Sequence, residues 1–322
     1  MLEILLSSLS SPIVLAFVLG VFATLIKSDL KFPDSLYQSL TIYLLFAIGI
    51  KGGVKLSASS FSEVYKISIA AIFMSCMIPV WVYIILRFLA KFDSINSAAM
   101  AAHFGSVSVV TFSQTSVYLE QKGIVSEGFM PAMLAIMEVP AIMIAIFIAR
   151  KYSDSKGESG SKIMHELLTG KGSLLLTGGL IIGLITGKKG FEQVSPFFEV
   201  PFKGILCLFL LEVGLVTGRR LSDLRKVGFK LIFFGILIPV LNGLIGSMLA
   251  TWAGLGIGGT TLFAVLCASA SYIAAPAAIR MALPEANPGY YLTASLAIAF
   301  PFNVTLGIPL YLNFSQWLHQ LN

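Results

Sequence analysis

Gly105-Ser106-Val107-Ser108-Val109-Val110-Thr111 and Ser269-Ala270-Ser271-Tyr272-Ile273-Ala274 each interrupt a long apolar run with small, hydroxyl and β-branched residues. Such residues hold a helix straight poorly, because Ser and Thr compete for the backbone hydrogen bonds and Gly and Val lose freedom in the coil. Pro276, just after the second stretch, removes a backbone donor as well. The two stretches predict two discontinuous helices, and the rest of the chain says what surrounds them.

Working outward, hydrophobic residues make up 57% of the 322 and charged residues 12%, with a mean hydropathy of +0.89. Soluble domains carry about 25% charged residues, so lipid is the expected solvent. Ten apolar runs follow one another, at 12–27, 33–54, 66–90, 95–119, 126–150, 173–188, 200–218, 228–254, 259–282 and 288–314. Each is near the roughly 20 residues that cross a bilayer core. The fourth and ninth contain the two interruptions. Pro12 to Ile26 follows an acidic start at Glu3, lacks a small-residue cleavage site and reads as a retained helix. Lys151 to Gly172 is rich in Ser, Gly and Lys and reads as a flexible linker. It divides the chain into a first five-span repeat (1–150), the linker (151–172) and a second repeat (173–322).

The Lys and Arg residues lie almost wholly in the connections, fifteen on one alternate set and seven on the other, out of 22. This is a topological bias rather than a nucleic-acid stripe, and the positive-inside rule places the linker in the cytoplasm and both termini outside. Trp252 and Trp317 fall near outer ends, as interfacial indoles do. Cys76, Cys207 and Cys267 sit inside apolar runs without metal-ligand spacing and read as core side chains.

The halves match in order. Gly49 and Gly53 align with Gly214 and Gly218, Ser106 and Ser108 with Ser269 and Ser271, and Gly128 and Pro140 with Gly289 and Pro301. Five spans per half is an odd number, so the second repeat enters the membrane upside down relative to the first. The expected fold is therefore all-α, ten transmembrane helices in two inverted five-helix repeats, with discontinuous helices 4 and 9 crossing near the midplane. Inverted repeats of this kind belong to secondary transporters, whose substrates sit at the broken helices.

A broken helix frees amide groups at the start of its second half, where the positive dipole end suits an anion, and carbonyls at the end of its first half, which suit Na⁺. The competing reading of both stretches is a packing interface of small residues. Glu138, at the centre of its span, requires a cation, a proton or an ion-pair partner there. Glu212 lies about two turns from Arg219 and is expected to be satisfied by it. His103 reads as a packed hydrogen-bonder outside the site, and Asn303 as a neutral ligand. No H-E-x-x-H, G-x-S-x-G or Gly-Lys-Ser/Thr phosphate loop occurs. The chain is not expected to be an enzyme, and uphill transport would draw on an ion gradient.

Pro284-Glu285-Ala286-Asn287-Pro288-Gly289-Tyr290-Tyr291, after Ala278-Ile279-Arg280, resembles the segment behind the second broken helix of the cyanobacterial-type sodium-dependent bicarbonate transporters. Phe104-Gly105-Ser106-Val107-Ser108, Met137-Glu138-Val139-Pro140-Ala141 and Ser11-Pro12 are similar too, so the resemblance runs in order along nearly the whole chain. It implies a core domain plus a gate domain, a homotrimer, symport of bicarbonate with Na⁺, and in some members a small PII-like regulatory protein on the cytoplasmic face. It also implies anion ligands at Ser108, Val109, Val110, Thr111, Ser269, Ala270 and Ser271. The chain departs from that pattern at Val109, Val110, Ala270, Tyr272 and Ala274, which carry fewer hydroxyls, and at Glu138, which replaces an Asp. Its short linker argues against the PII-like partner.

The sequence-based expectation is thus an inner-membrane, Na⁺-coupled symporter of a small anion, bicarbonate first, without a cofactor. Ser106, Ser108, Val109, Val110, Thr111, Ser269, Ala270 and Ser271 would line the substrate site. Glu138, Tyr272 and Asn303 would serve the coupling ion, with Na⁺ near Ser108, Glu138 and Ser271. A carrier of a monocarboxylate-like anion coupled to Na⁺ or H⁺, and a receptor or scaffold that keeps the carrier fold without transport, remain as alternatives.

Overall fold

A computed structural model describes residues 11–152 and 157–321; Glu3 and residues 153–156 of the linker lie outside it. The described residues form helices and connecting turns, with no strand. The helices are α1 (Pro12–Leu25), α2 (Asp34–Ser57), α3 (Phe61–Leu89), α4 (Ser94–Gly105), α5 (Val109–Gln121) and α6 (Met130–Tyr152). They continue with α7 (Gly160–Thr169), α8 (Lys171–Glu192), the single turn α9 (Ser195–Phe198), α10 (Phe202–Trp252), α11 (Ile257–Ala268), α12 (Ala274–Ala282) and α13 (Pro288–Leu321). Eight stretches among the described residues are long and apolar enough to cross a membrane, counting α4 with α5 as one and the arms of α10 separately. Pro12–Leu25 and Ile257–Ala268 are apolar but shorter. This is an all-α membrane protein.

Close backbone approach organises one group of helices. Gly49 and Gly53 of α2 lie against α8, where a Cβ on Gly49 would meet the Leu176 carbonyl at 2.5 Å. Gly214 of α10 lies against α1 in the same manner, where a Cβ would meet the Phe17 carbonyl at 2.2 Å. Small residues let helices touch along their backbones, and in lipid such packing replaces the hydrophobic effect as the adhesive. The Thr24 hydroxyl adds a bond to the Leu215 carbonyl at 3.1 Å. A second group forms from α3, α4 and α6 on one side and α11, α13 and the second arm of α10 on the other. The Trp81 indole donates to Asn242 at 2.8 Å and ties α3 to that second arm.

Two connections differ from the sequence expectation. Arg219 to Lys226, read as a loop, continues the helix of α10, and the corner falls instead at Gly228, whose φ of +77° only glycine adopts without strain. The supposedly flexible linker carries α7. Ile163 and Leu167, four apart, share one face and are buried against the rest of the protein, and the Ser159 hydroxyl caps the start by accepting from the Lys162 amide. Polar composition concealed a short amphipathic helix. The Glu158 amide reaches the Met281 carbonyl at 3.0 Å and fixes this segment to the end of α12.

Candidate functional site

The first break falls where Gly105 ends α4. A Cβ there would lie 2.9 Å from the Ala141 side chain and 3.0 Å from the Pro79 ring, so this end of the helix is wedged between α3 and α6. Ser106 and Ser108 are extended, with ψ of 152° and 111°. Ser108 then caps α5, its hydroxyl accepting from the Thr111 amide at 3.2 Å and from the Thr111 hydroxyl at 2.9 Å. The second break starts at Ser269, also extended, and α12 resumes at Ala274. Pro276 occupies the third position of α12, where its missing N–H costs nothing.

The two breaks are bonded to each other. The Ser108 amide donates to the Ser269 hydroxyl, and the Ser271 amide to the carbonyls of His103 and Ser106. The first-turn amides of Val109 and Val110 have no carbonyl behind them and find no partner among the described residues. The Ser106 hydroxyl donates to the Glu138 carbonyl at 3.0 Å, and the Asn303 amide nitrogen to the Ala268 carbonyl at 2.9 Å. Each break is thus held from behind by the helix that follows it.

Ser108, Glu138, Ser271 and Tyr272 meet in a slit that Val107, Val109, Ile273 and Ala274 complete, together with Leu45 and Gly172 from the other helix group. Its free volume is about 10 Å³, room for one water at most. Glu138 is 5% exposed, and its carboxylate accepts from the Ser173 hydroxyl at 3.4 Å. A cavity of about 410 Å³ adjoins the slit through Gly172, Ile273 and Ala274, with Glu166 and Leu167 of α7 in its wall. At the other end of α5 a cavity of about 630 Å³ is lined by Lys51, Ser113, Ser116, Glu120, Glu199 and Lys203, and a Lys203–Glu120 ion pair of 3.0 Å crosses it.

Of the residues singled out in the sequence, Ser108, Val109, Glu138, Ser271 and Tyr272 share the slit. Ser106, Thr111 and Ser269 stand beside it, occupied in the bonds that shape the breaks. Val110 and Ala270 are buried next to them. Asn303 is behind the second break, with its oxygen accepting from Tyr311 at 3.1 Å as well, so both ends of its amide are engaged. His103 is fully buried, bonds the Ala99 carbonyl and stacks on Tyr291 with centroids 4.6 Å apart. The sequence reading missed that its backbone carbonyl receives the Ser271 amide. It also missed Gly172 and Ser173, the first residues of α8 to reach Glu138; no local motif marks them.

A sequence model described as the Na⁺-dependent bicarbonate transporter superfamily matches residues 12–316. No curated protein matches the chain.

Proposed function

Because the chain belongs to the Na⁺-dependent bicarbonate transporter superfamily, we propose that it is a secondary transporter in which a small anion, bicarbonate foremost, crosses the membrane together with Na⁺. The observation that carries this reading is the pair of mutually bonded helix breaks, with the unpartnered amides of Val109 and Val110 beside the Ser108 and Ser271 hydroxyls. Amides at a helix start recognise an anion. Oxygen atoms of Glu138, Ser108 and Ser271 in the same slit suit Na⁺, a hard cation.

In this reading residues 1–150 and 173–322 are inverted five-helix repeats joined by the segment 151–172. The matching glycine contacts of α2 with α8 and of α10 with α1 support it. The lysine and arginine bias supports a cytoplasmic linker and outer termini. In this reading the narrow slit is a closed state with a cavity beside it at Gly172, Ile273 and Ala274, and movement of one helix group against the other would open it. We further propose a homotrimer in the inner membrane, as the resemblance implies.

A second reading, a Na⁺- or H⁺-coupled carrier of a monocarboxylate-like anion, is favoured by the apolar wall that Leu45, Val107, Val109 and Ile273 give the slit. Uptake of labelled bicarbonate and of labelled short monocarboxylates into proteoliposomes, with and without an inward Na⁺ gradient, tests both. Bicarbonate uptake that rises with the gradient supports the first. Bicarbonate uptake indifferent to Na⁺ removes the coupling, and uptake of the organic acid alone transfers the assignment to the second.

A further inference from the structure

We propose that a second monovalent-cation site lies beside Glu212, in a cavity distinct from the slit between the breaks. That cavity has a free volume of about 250 Å³ and is lined by Asp34, Tyr37, Glu212, Arg219, Tyr272 and Leu296.

Glu212 is 6% exposed. One of its carboxylate oxygens accepts from the Arg219 guanidinium at 3.2 Å, while the other, Oε2, is buried without a protein partner. The Tyr272 hydroxyl is buried too, turned toward Ser108, while its residue borders the same cavity as Glu212. Buried acceptors left bare are expensive, and the expense falls when a donor or a cation is present. The local charge selects between ligands. Asp34 and Glu212 contribute two carboxylates against one guanidinium, which is half exposed. An anion is repelled there; a divalent ion would overcompensate; a monovalent cation neutralises the excess. Carboxylate and phenol oxygens from Glu212 and Tyr37 are hard ligands, suited to an alkali cation of the Na⁺ type.

Tyr272 borders both this cavity and the slit that holds Ser108, Glu138 and Ser271. Its ring is the partition between them, packed edge-on against Phe300 with centroids 5.4 Å apart. A cation leaving the slit needs to pass one side chain to reach Glu212. The Glu212 cavity is therefore a way station for the ion, separate from the coupling position proposed at Glu138 and independent of which anion is carried.

The test reads binding without transport. Purified protein in detergent is unfolded thermally at constant ionic strength while NaCl replaces N-methylglucamine chloride. The Glu138→Gln variant, with the slit position weakened, should keep a Na⁺-dependent rise in Tm, and adding Glu212→Gln should reduce that rise further. Because Glu212→Gln can also fail to fold, Glu138→Gln is combined with Tyr37→Phe, which borders the Glu212 cavity alone. The half-saturating Na⁺ concentration should then rise by about threefold to tenfold, the worth of one hydrogen-bonding ligand. Loss of all Na⁺ response in Glu138→Gln would overturn the site, as would a response unchanged by both further substitutions. Failure of the transport assay would leave these outcomes intact.

Discussion

The Ser269 hydroxyl accepts the backbone amide hydrogen of Ser108 at 2.9 Å, across 161 positions of sequence. The bond joins the two helix breaks to each other, and the Ser271 amide completes the junction on the carbonyls of His103 and Ser106. Neither break is satisfied without the other. Each break therefore serves as the other's folding partner, and a solute between them would meet amides already fixed in direction.

Replacing Ser269 by Ala should leave the buried Ser108 amide without an acceptor, at a cost of about 1–3 kcal/mol. Thermal unfolding in detergent should show the drop, and Ser269→Thr, which keeps the oxygen, should recover most of it. Equal stability of Ala and Thr variants would show that the junction contributes nothing.

Gly49→Ala and Gly214→Ala should each separate a helix pair, since the added Cβ meets a backbone carbonyl at 2.5 Å and 2.2 Å respectively. Overpacking of this kind destabilises by about 1–3 kcal/mol. Gly178→Ala and Gly204→Ala, where an added Cβ meets nothing within 4 Å, should be neutral or stabilising by up to about 1 kcal/mol, the helix preference of Ala over Gly. Folded yield and Tm measured on the four variants distinguish contact from composition.

Glu138→Gln should weaken the dependence of uptake on Na⁺, by raising the half-saturating concentration, while leaving the pH profile of uptake as it is in the wild type. A variant that instead loses a pronounced pH dependence identifies the proton as the coupling ion. The comparison needs only initial uptake rates over a Na⁺ series at several pH values.

Ile163→Asp should release α7 from the helices it packs on, because Ile163 is fully buried. Trypsin should then cut at Lys162 and Lys171 faster than in the wild type, with the membrane helices left intact. An unchanged cleavage rate would mean that α7 is held by the Glu158–Met281 backbone bond and not by its apolar face.

Much of the architecture was legible before the fold was seen, because a membrane imposes few solutions on a backbone. Long apolar runs marked most of the helices, and the small, hydroxyl and β-branched stretches 105–111 and 269–274 marked the breaks, since poor helix formers act within one turn. Arg219 to Lys226 and Gly160 to Thr169 were misread. The first prolongs the apolar helix before it, and the second is a short helix whose apolar face, Ile163 and Leu167, is too brief to stand out. Asn303 was read as a neutral ligand, but that it stands behind the break depends on α13 meeting the end of α11.

Sequence alone determined that this chain is an apolar, all-helical membrane protein and at which residues two of its helices break, since each of these follows from local backbone chemistry and side-chain solvation. Only the tertiary structure decided that the breaks bond to one another, that Ser173 of α8 reaches Glu138, and that Tyr272 divides two cavities. Those relations join residues far apart along the chain, and packing, which no local pattern encodes, sets the distances between them.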